Sequence, residues 1–459
     1  LSRFFGTDGV RGVANQKVTP ELAFKIGAAA GRRLIEQGRG ALALVGRDTR
    51  RSGPMLGAAV ASGLCSAGVS VKALGIVPTG CVSWAVRSSA ASLGVVVSAS
   101  HNPAPDNGIK LIAEDGRKLP ADEERWIEER LDQPHLDRPT GADVGWLESD
   151  SQLTEAYLEW LMGHVPEGLA GLRIAVDAGN GAAYQMGPEL FRRLGAEVVV
   201  IGDRPDGTNI NADGGATKPE AVQELTRKAE FDVGVAFDGD ADRAVFADSE
   251  GRLINGDRTM ALWCAHWRRE GRMEPPVVVG TVMSNGGFEA YMARQGVRLE
   301  RTEVGDKHVS AALEHLGARI GGEQSGHIIF PESLPTGDGL LTALEVFRVL
   351  KREGQPASRF FGDFESWPQL LVNVGVSSKE GWSEQTRVQD ALSRAQEKLN
   401  GRGRVNVRPS GTQPMIRVMV EAEEVGLRDS VADDIVEALT TSLGGEIYSR
   451  VDLTHALGD

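Results

Sequence analysis

Three aspartates at alternate positions, Asp238, Asp240 and Asp242, share one loop with Arg243. Carboxylates this close repel one another unless a cation lies between them. All-oxygen ligation favours a hard ion such as Mg²⁺, which readily shares its shell with phosphate oxygens. An EF-hand calcium loop also begins D-x-D-x-D, but it needs glycine at its sixth position and glutamate at its twelfth, where this chain has Arg243 and Ser249. A second loop, Ser98-Ala99-Ser100-His101-Asn102-Pro103, ends the apolar run Gly94-Val95-Val96-Val97. That order reads as a buried strand delivering Ser100 to the rim of a sheet, where a reactive group meets substrate. A serine hydroxyl is a poor nucleophile at neutral pH, so Ser100 needs activation or prior phosphorylation. The Gly-x-Ser-x-Gly elbow of a serine hydrolase is missing, and a histidine adjacent in sequence is poorly placed as its base. A hydroxyl on one loop and three carboxylates on another point to metal-assisted phosphoryl transfer through a serine.

Two further loops carry polar side chains suited to a phosphorylated ligand. Arg408-Pro409-Ser410-Gly411-Thr412 joins two expected strands. Its arginine offers a fork for phosphate oxygens, and Ser-Gly-Thr can turn N–H groups and hydroxyls inward as an anion nest. By itself, Pro-Ser-Gly is equally an ordinary turn. Gly322-Glu323-Gln324-Ser325-Gly326-His327 lies between Ile320 and Ile328, and its mixed donors and acceptors suit sugar hydroxyls or a plain loop. Lys110, in Asn107-Gly108-Ile109-Lys110, reads on its own as a solvated surface charge. No Walker A motif and no Gly-x-Gly-x-x-Gly after a strand is present, which argues against a P-loop kinase and a dinucleotide dehydrogenase.

Composition narrows the partners. A net charge of −14 argues against a nucleic acid, because long-range attraction to its backbone is lost. No apolar run approaches the roughly 20 residues of a membrane helix, and the N-terminus lacks a signal-peptide core, so a cytoplasmic protein without a membrane partner is expected. Cys65, Cys81 and Cys264 are too few and too scattered for a disulfide framework or a zinc site and read as buried thiols.

Positioning these loops requires α/β layers. Strand-then-helix alternation recurs three times, opening at residues 41–45, 172–176 and 276–279, each followed by a glycine-bearing turn. The three openings look alike, a sign of a repeated α/β domain. The polar stretch 132–150 suits a link out of the first domain. After residue 366 the pattern becomes strand, helix 384–399, strands 404–407 and 415–421, and helix 427–443, a small α+β domain.

Taken in order, these segments resemble the alpha-D-phosphohexomutase family from end to end. Phe5-Gly6-Thr7-Asp8-Gly9-Val10-Arg11-Gly12 is similar to its N-terminal signature, 98–103 to its phosphoserine loop, 238–243 to its metal loop, 322–327 to its sugar loop and 408–412 to its phosphate loop. The opening signature and the Gly-Glu-Gln-Ser-Gly-His loop are most similar to the amino-sugar branch, with the mannose and glucose phosphate branch the runner-up. The resemblance implies three similar mixed-sheet α/β domains, expected at 1–150, 151–252 and 253–366, plus a smaller C-terminal α+β domain at 367–459, around a central active-site cleft.

It also implies roles. Ser100 carries the phosphoryl group, and with Asp238, Asp240 and Asp242 it holds one Mg²⁺ per subunit. Arg11, His101, Lys110 and Arg243 surround the transferring group, with Lys110 a candidate for proton transfer. Glu323, Ser325 and His327 contact the sugar. Lys307, Arg408, Ser410, Gly411, Thr412 and Arg417 contact phosphate. The implied reaction interconverts glucosamine 6-phosphate and glucosamine 1-phosphate through a 1,6-bisphosphate that also serves as activator, supplying UDP-N-acetylglucosamine synthesis. The protein is expected as a monomer or homodimer whose partner is a small phosphosugar. Two departures bear on substrate preference: Gln413 stands where the family's phosphate loop usually has Glu, and Asp306-Lys307-His308 stands for Asp-Arg-Tyr. Lysine keeps the charge but loses the bidentate fork.

Overall fold

A computed structural model describes residues 4–6, 8–133, 138–228, 231–354, 356–358, 365–410 and 414–454. The chain divides into two compact units, Leu1–Val282 with Glu300–Phe360, and Met283–Leu299 with Phe361–Asp459.

The first unit carries three sheets. Its largest has seven strands in the order Phe5–Gly6, Gly9–Val13, Asp106–Ala113, Leu93–Val97, Leu42–Arg47, Ser70–Ile76 and Leu147–Ser149. Leu42–Arg47 runs parallel to both Leu93–Val97 and Ser70–Ile76, whereas Asp106–Ala113 returns antiparallel beside Leu93–Val97. Strand Leu93–Val97 is buried along its whole length, as a continuous apolar run in the middle of a covered sheet must be. The stretch read as a link, 132–150, therefore includes a strand, Leu147–Ser149, pairing parallel with Ser70–Ile76. A second sheet has the order Leu253–Ile254, Ala244–Asp248, Val233–Phe237, Arg173–Asp177 and Glu197–Ile201. The third sheet includes, within this unit, Val277–Thr281, Gly321–Gly322 and Ile328–Ile329.

Helix Pro20–Glu36 shows how local chemistry builds the layers. Thr19 caps it by accepting from the Leu22 N–H, Pro20 opens it, and Glu21 lies in its first turn. It packs on helix Gly53–Ser66 at a backbone-to-backbone approach. A Cβ on Gly63 would stand 2.2 Å from the Phe24 carbonyl oxygen, so only glycine fits there.

In the second unit an antiparallel sheet runs Gly403–Pro409, Met415–Ala422, Gln369–Gly375 and Glu446–Asp452. Helices Thr386–Leu399 and Val425–Leu443 share its apolar core. The last strand, Glu446–Asp452, was not expected; its residues are mostly exposed, so it lacks the apolar signal that marks the inner strands. Helix Gly286–Arg294 belongs to this unit too, its Gly286 N–H donating to the buried Glu421 carboxylate at 2.7 Å. Among the described residues no helix is long and apolar enough to cross a membrane. Cys81 and Cys264 are buried as expected, and Cys65 is half-buried.

Candidate active site

Ser100 follows strand Leu93–Val97 and is buried, with its backbone in the left-handed region at φ 52°. A serine held there costs on the order of 1–3 kcal/mol, which the surrounding bonds must offset. Asp238 follows strand Val233–Phe237 of the next sheet, and that loop has its own left-handed residue, Ala241, at φ 53°. The two loops meet: Ser100 Oγ donates to Asp238 Oδ2 at 2.5 Å and lies 3.3 Å from His101 Nδ1. Their backbones touch as well, since a Cβ on Gly239 would be 2.4 Å from the Ser100 carbonyl oxygen.

Oxygens of Asp238, Asp240 and Asp242 all lie within 4.8 Å of one another, and all three side chains are buried. Among the described residues the buried Oδ1 atoms of Asp240 and Asp242 have no hydrogen-bond partner, the nearest cationic group to the latter being His327 Nδ1 at 3.7 Å. Acceptors left bare in this way are costly, and a cation seated among them would satisfy both. Burial, then the charges of Asp242 and Asp240, push the Asp238 carboxyl well above its ordinary range. Geometry, burial and donor chemistry thus fit a divalent cation.

Lys110 is buried rather than solvated, because its strand lies inside the largest sheet and its ammonium is neutralised from three sides. It pairs with Asp240 Oδ2 at 2.7 Å, Asp242 Oδ2 at 3.2 Å and Asp8 Oδ2 at 3.1 Å. Burial works to lower its pKa, but Asp240, Asp242 and Asp8 reverse that and hold it well above the ordinary lysine value. Burial would raise Asp242, yet Lys110 and His327 hold it well below the usual carboxylate range. Asp8 also pairs with Arg11 and Lys118, and Lys118 reaches Asp306 at 2.5 Å. His327 stands 3.7 Å from both Asp242 and Asp306, and Asp242 raises its pKa against the effect of burial. The Arg243 N–H donates to Asp238 Oδ1 at 3.2 Å.

The 322–327 segment is a tight hairpin turn anchored to the cation loop, with the Ala244 N–H donating to the Gly326 carbonyl at 3.1 Å. Ser325 and His327 are buried in it, and Glu323 accepts from the Gly305 N–H at 2.9 Å. Lys307 is exposed beside Asp306. The first unit therefore gathers Ser100, His101, Lys110, Arg11, the three aspartates and His327 into one linked cluster.

In the second unit Arg408 and Arg417 are cross-strand partners, two guanidinium-bearing residues side by side. Like charges placed opposite one another are unfavourable unless an anion bridges them. Ser410 is buried and its carbonyl accepts from Lys379 Nζ at 2.6 Å. Gly411, Thr412 and Gln413 lie outside the described residues.

Sequence reading missed several groups here: Asp8, Lys118, Asp306, Lys379 and Thr79, whose hydroxyl donates to Asp240 Oδ2 at 2.7 Å. Asp8 carried a signal, sitting inside the N-terminal signature. Asp306 carried one too, within Asp306-Lys307-His308, whereas Lys118, Lys379 and Thr79 are single polar residues whose positions only the folded chain reveals.

Comparison with known proteins agrees with this layout. Models of the phosphoglucomutase/phosphomannomutase alpha/beta/alpha domains I, II and III match residues 2–137, 155–251 and 255–366, and the C-terminal domain model matches 371–438. The chain is 46% identical over 447 residues to the phosphoglucosamine mutase of Symbiobacterium thermophilum, covering 96% of this chain and 100% of that one. It is 42% identical to that of Bacillus subtilis, covering 97% and 100%. A phosphoglucomutase/phosphomannomutase family protein from Burkholderia thailandensis has a similar structure, with a TM-score of 0.80 and 26% identity over 96% of this chain and 98% of that one. Four domain matches in order, full-length relatives and a serine set against an aspartate cluster lead to one conclusion: the chain belongs to the phosphoglucomutase/phosphomannomutase, or alpha-D-phosphohexomutase, family.

Proposed function

We propose that this chain is an isomerase that interconverts glucosamine 6-phosphate and glucosamine 1-phosphate, the phosphoglucosamine mutase reaction. The observation that carries the substrate is near-full-length similarity to proteins named for that activity. The placing of Ser100 against the aspartates supports the chemistry.

In this reading Ser100 carries the phosphoryl group, with close to two negative charges. Arg11, His101, Lys110 and Arg243 offset that charge so that a sugar hydroxyl can approach. O1 of glucosamine 6-phosphate attacks phosphorus, the bond from phosphorus to Ser100 Oγ breaks, and the O1 proton passes to Oγ with Lys110 as the proposed carrier. The 1,6-bisphosphate then turns over and returns its 6-phosphoryl group to Ser100 by the reverse exchange, leaving glucosamine 1-phosphate. Free sugar 1,6-bisphosphate charges Ser100 in the same way and so acts as activator. Asp238, Asp240 and Asp242, with Ser100, would hold one Mg²⁺, which when bound supplies Lewis-acid neutralisation of the phosphoryl oxygens. Glu323, Ser325 and His327 orient the sugar, and Lys307, Arg408, Ser410, Gly411, Thr412 and Arg417 hold the phosphate that is not reacting. A cytoplasmic location and a monomeric or dimeric state complete the reading.

The test compares kcat/KM for glucosamine 6-phosphate and glucose 6-phosphate, with Mg²⁺ and a catalytic amount of sugar 1,6-bisphosphate. A strong preference for the amino sugar is expected. Preference for the glucose ester would overturn the substrate and keep the mechanism.

A further inference from the structure

Beneath Ser100 lies a buried polar assembly that the transfer chemistry does not use. Arg50 is fully buried and all five of its N–H donors are engaged. Nε donates to Asp48 Oδ2 at 2.9 Å. One terminal nitrogen donates to the carbonyls of Ser100 at 2.9 Å and Asn102 at 2.7 Å, and the other to those of Pro103 at 2.5 Å and Asp106 at 3.0 Å. Asp48 also accepts from Ser98 Oγ at 2.6 Å, and Ser98 Oγ accepts from the Ser100 N–H at 2.9 Å. Another loop adds a second clamp: Asn211 Nδ2 donates to the carbonyls of Ser100 at 2.9 Å and Asn102 at 3.3 Å.

Both backbone polar groups of Ser100 are thus held, directly or through Ser98, by side chains that bond its backbone and not its hydroxyl. We propose that Arg50, Asp48 and Asn211 are positioning residues, which lock the Ser100 loop in its left-handed turn so that Oγ faces the aspartate cluster. Arg50 has no donor left for a phosphate, and its charge is matched by Asp48, so its contribution is geometric. Lysine could not replace it, because an ammonium lacks the planar fork that reaches four carbonyls and a carboxylate together. The inference rests on Ser100 being the phosphoryl carrier.

The test uses the full-length enzyme, phosphorylated with sugar 1,6-bisphosphate, as wild type, Asn211→Gly and Arg50→Lys. Glycine at 211 keeps the positive φ of Asn211, 55°, while deleting the clamp. Steady-state kinetics, thermal unfolding and the ³¹P resonance of the phosphoserine are read for each. Asn211→Gly is expected to unfold near the wild-type temperature and to keep its KM, with kcat lowered about 10²-fold by misplacement of the reacting group. Its phosphoserine resonance shifts or broadens. Arg50→Lys shows the larger loss; should it fail to fold, Asn211→Gly decides alone. A wild-type kcat in Asn211→Gly, or a lowered kcat with an unmoved resonance, overturns the proposal. A wild type with no phosphoserine resonance instead overturns the carrier reading, and this inference with it.

Discussion

Replacing Gly239 by alanine tests whether the serine loop and the cation loop work as one rigid unit. The added Cβ would stand 2.4 Å from the Ser100 carbonyl oxygen, 2.9 Å from Asn211 Nδ2 and 2.9 Å from Ile210 Cδ1. Ordinary contact begins at 3.4 Å, so the serine backbone or the cation loop must retreat by roughly 1 Å. The carbonyl cannot yield cheaply, being bound by Arg50 and Asn211. A shift of that size lengthens the 2.5 Å bond from Ser100 Oγ to Asp238 beyond hydrogen-bonding range. Misplacement of about 1 Å is expected to cost about 10²-fold in kcat, and overpacking about 1–3 kcal/mol in stability. The assay is steady-state turnover of glucosamine 6-phosphate beside thermal unfolding. Gly57→Ala is the control, because a Cβ there meets no atom of the described residues within 4 Å. A Gly239→Ala enzyme with wild-type kcat and stability would show that the two loops move independently.

Chelation of divalent cations should abolish turnover and Mg²⁺ should restore it, while Asp242→Asn lowers kcat about 10²–10³-fold; full activity after exhaustive chelation would contradict this. Asp338 is buried, accepts from the Leu341 N–H at 3.0 Å as the cap of helix Gly339–Glu353, and accepts from the Tyr157 hydroxyl at 2.6 Å. Asp338→Ala should cost about 2–4 kcal/mol by denaturant unfolding, the sum of a lost cap and a stranded hydroxyl. The double variant with Tyr157→Phe should lose less than the two single changes added together. Gly63→Ala should destabilise by about 1–3 kcal/mol through its clash with the Phe24 carbonyl, whereas Gly57→Ala in the same helix should stabilise by about 0.5–1 kcal/mol.

Legibility followed the range of the forces involved. Strands such as Leu93–Val97 and Val233–Phe237 announce themselves, because a strand buried on both faces is a continuous apolar run. Ser100 and the three aspartates were legible for a related reason: they sit at the ends of such runs, and their spacing has few other chemical uses. Lys110 was legible only in part. Its motif marked it, but nothing local says that Asp8, Asp240 and Asp242 converge on it and draw it into the interior. Arg50 and Asn211 were missed for the same reason, since their partners lie about 50 and more than 100 residues away. The edge strands Leu147–Ser149 and Glu446–Asp452 were missed because exposed pairing leaves little apolar trace.

Whether Ser100 carries the transferred phosphoryl group is decided by a single-turnover experiment with enzyme carrying labelled phosphate. Wild-type protein is charged with labelled sugar 1,6-bisphosphate, the label is mapped by peptide mass spectrometry, and its fate is followed after adding glucosamine 6-phosphate. Label is expected on Ser100, none on a Ser100→Ala variant, and its transfer to the sugar is expected to outpace its release to water. Label on another residue, or its loss as inorganic phosphate before any sugar bisphosphate forms, would contradict it.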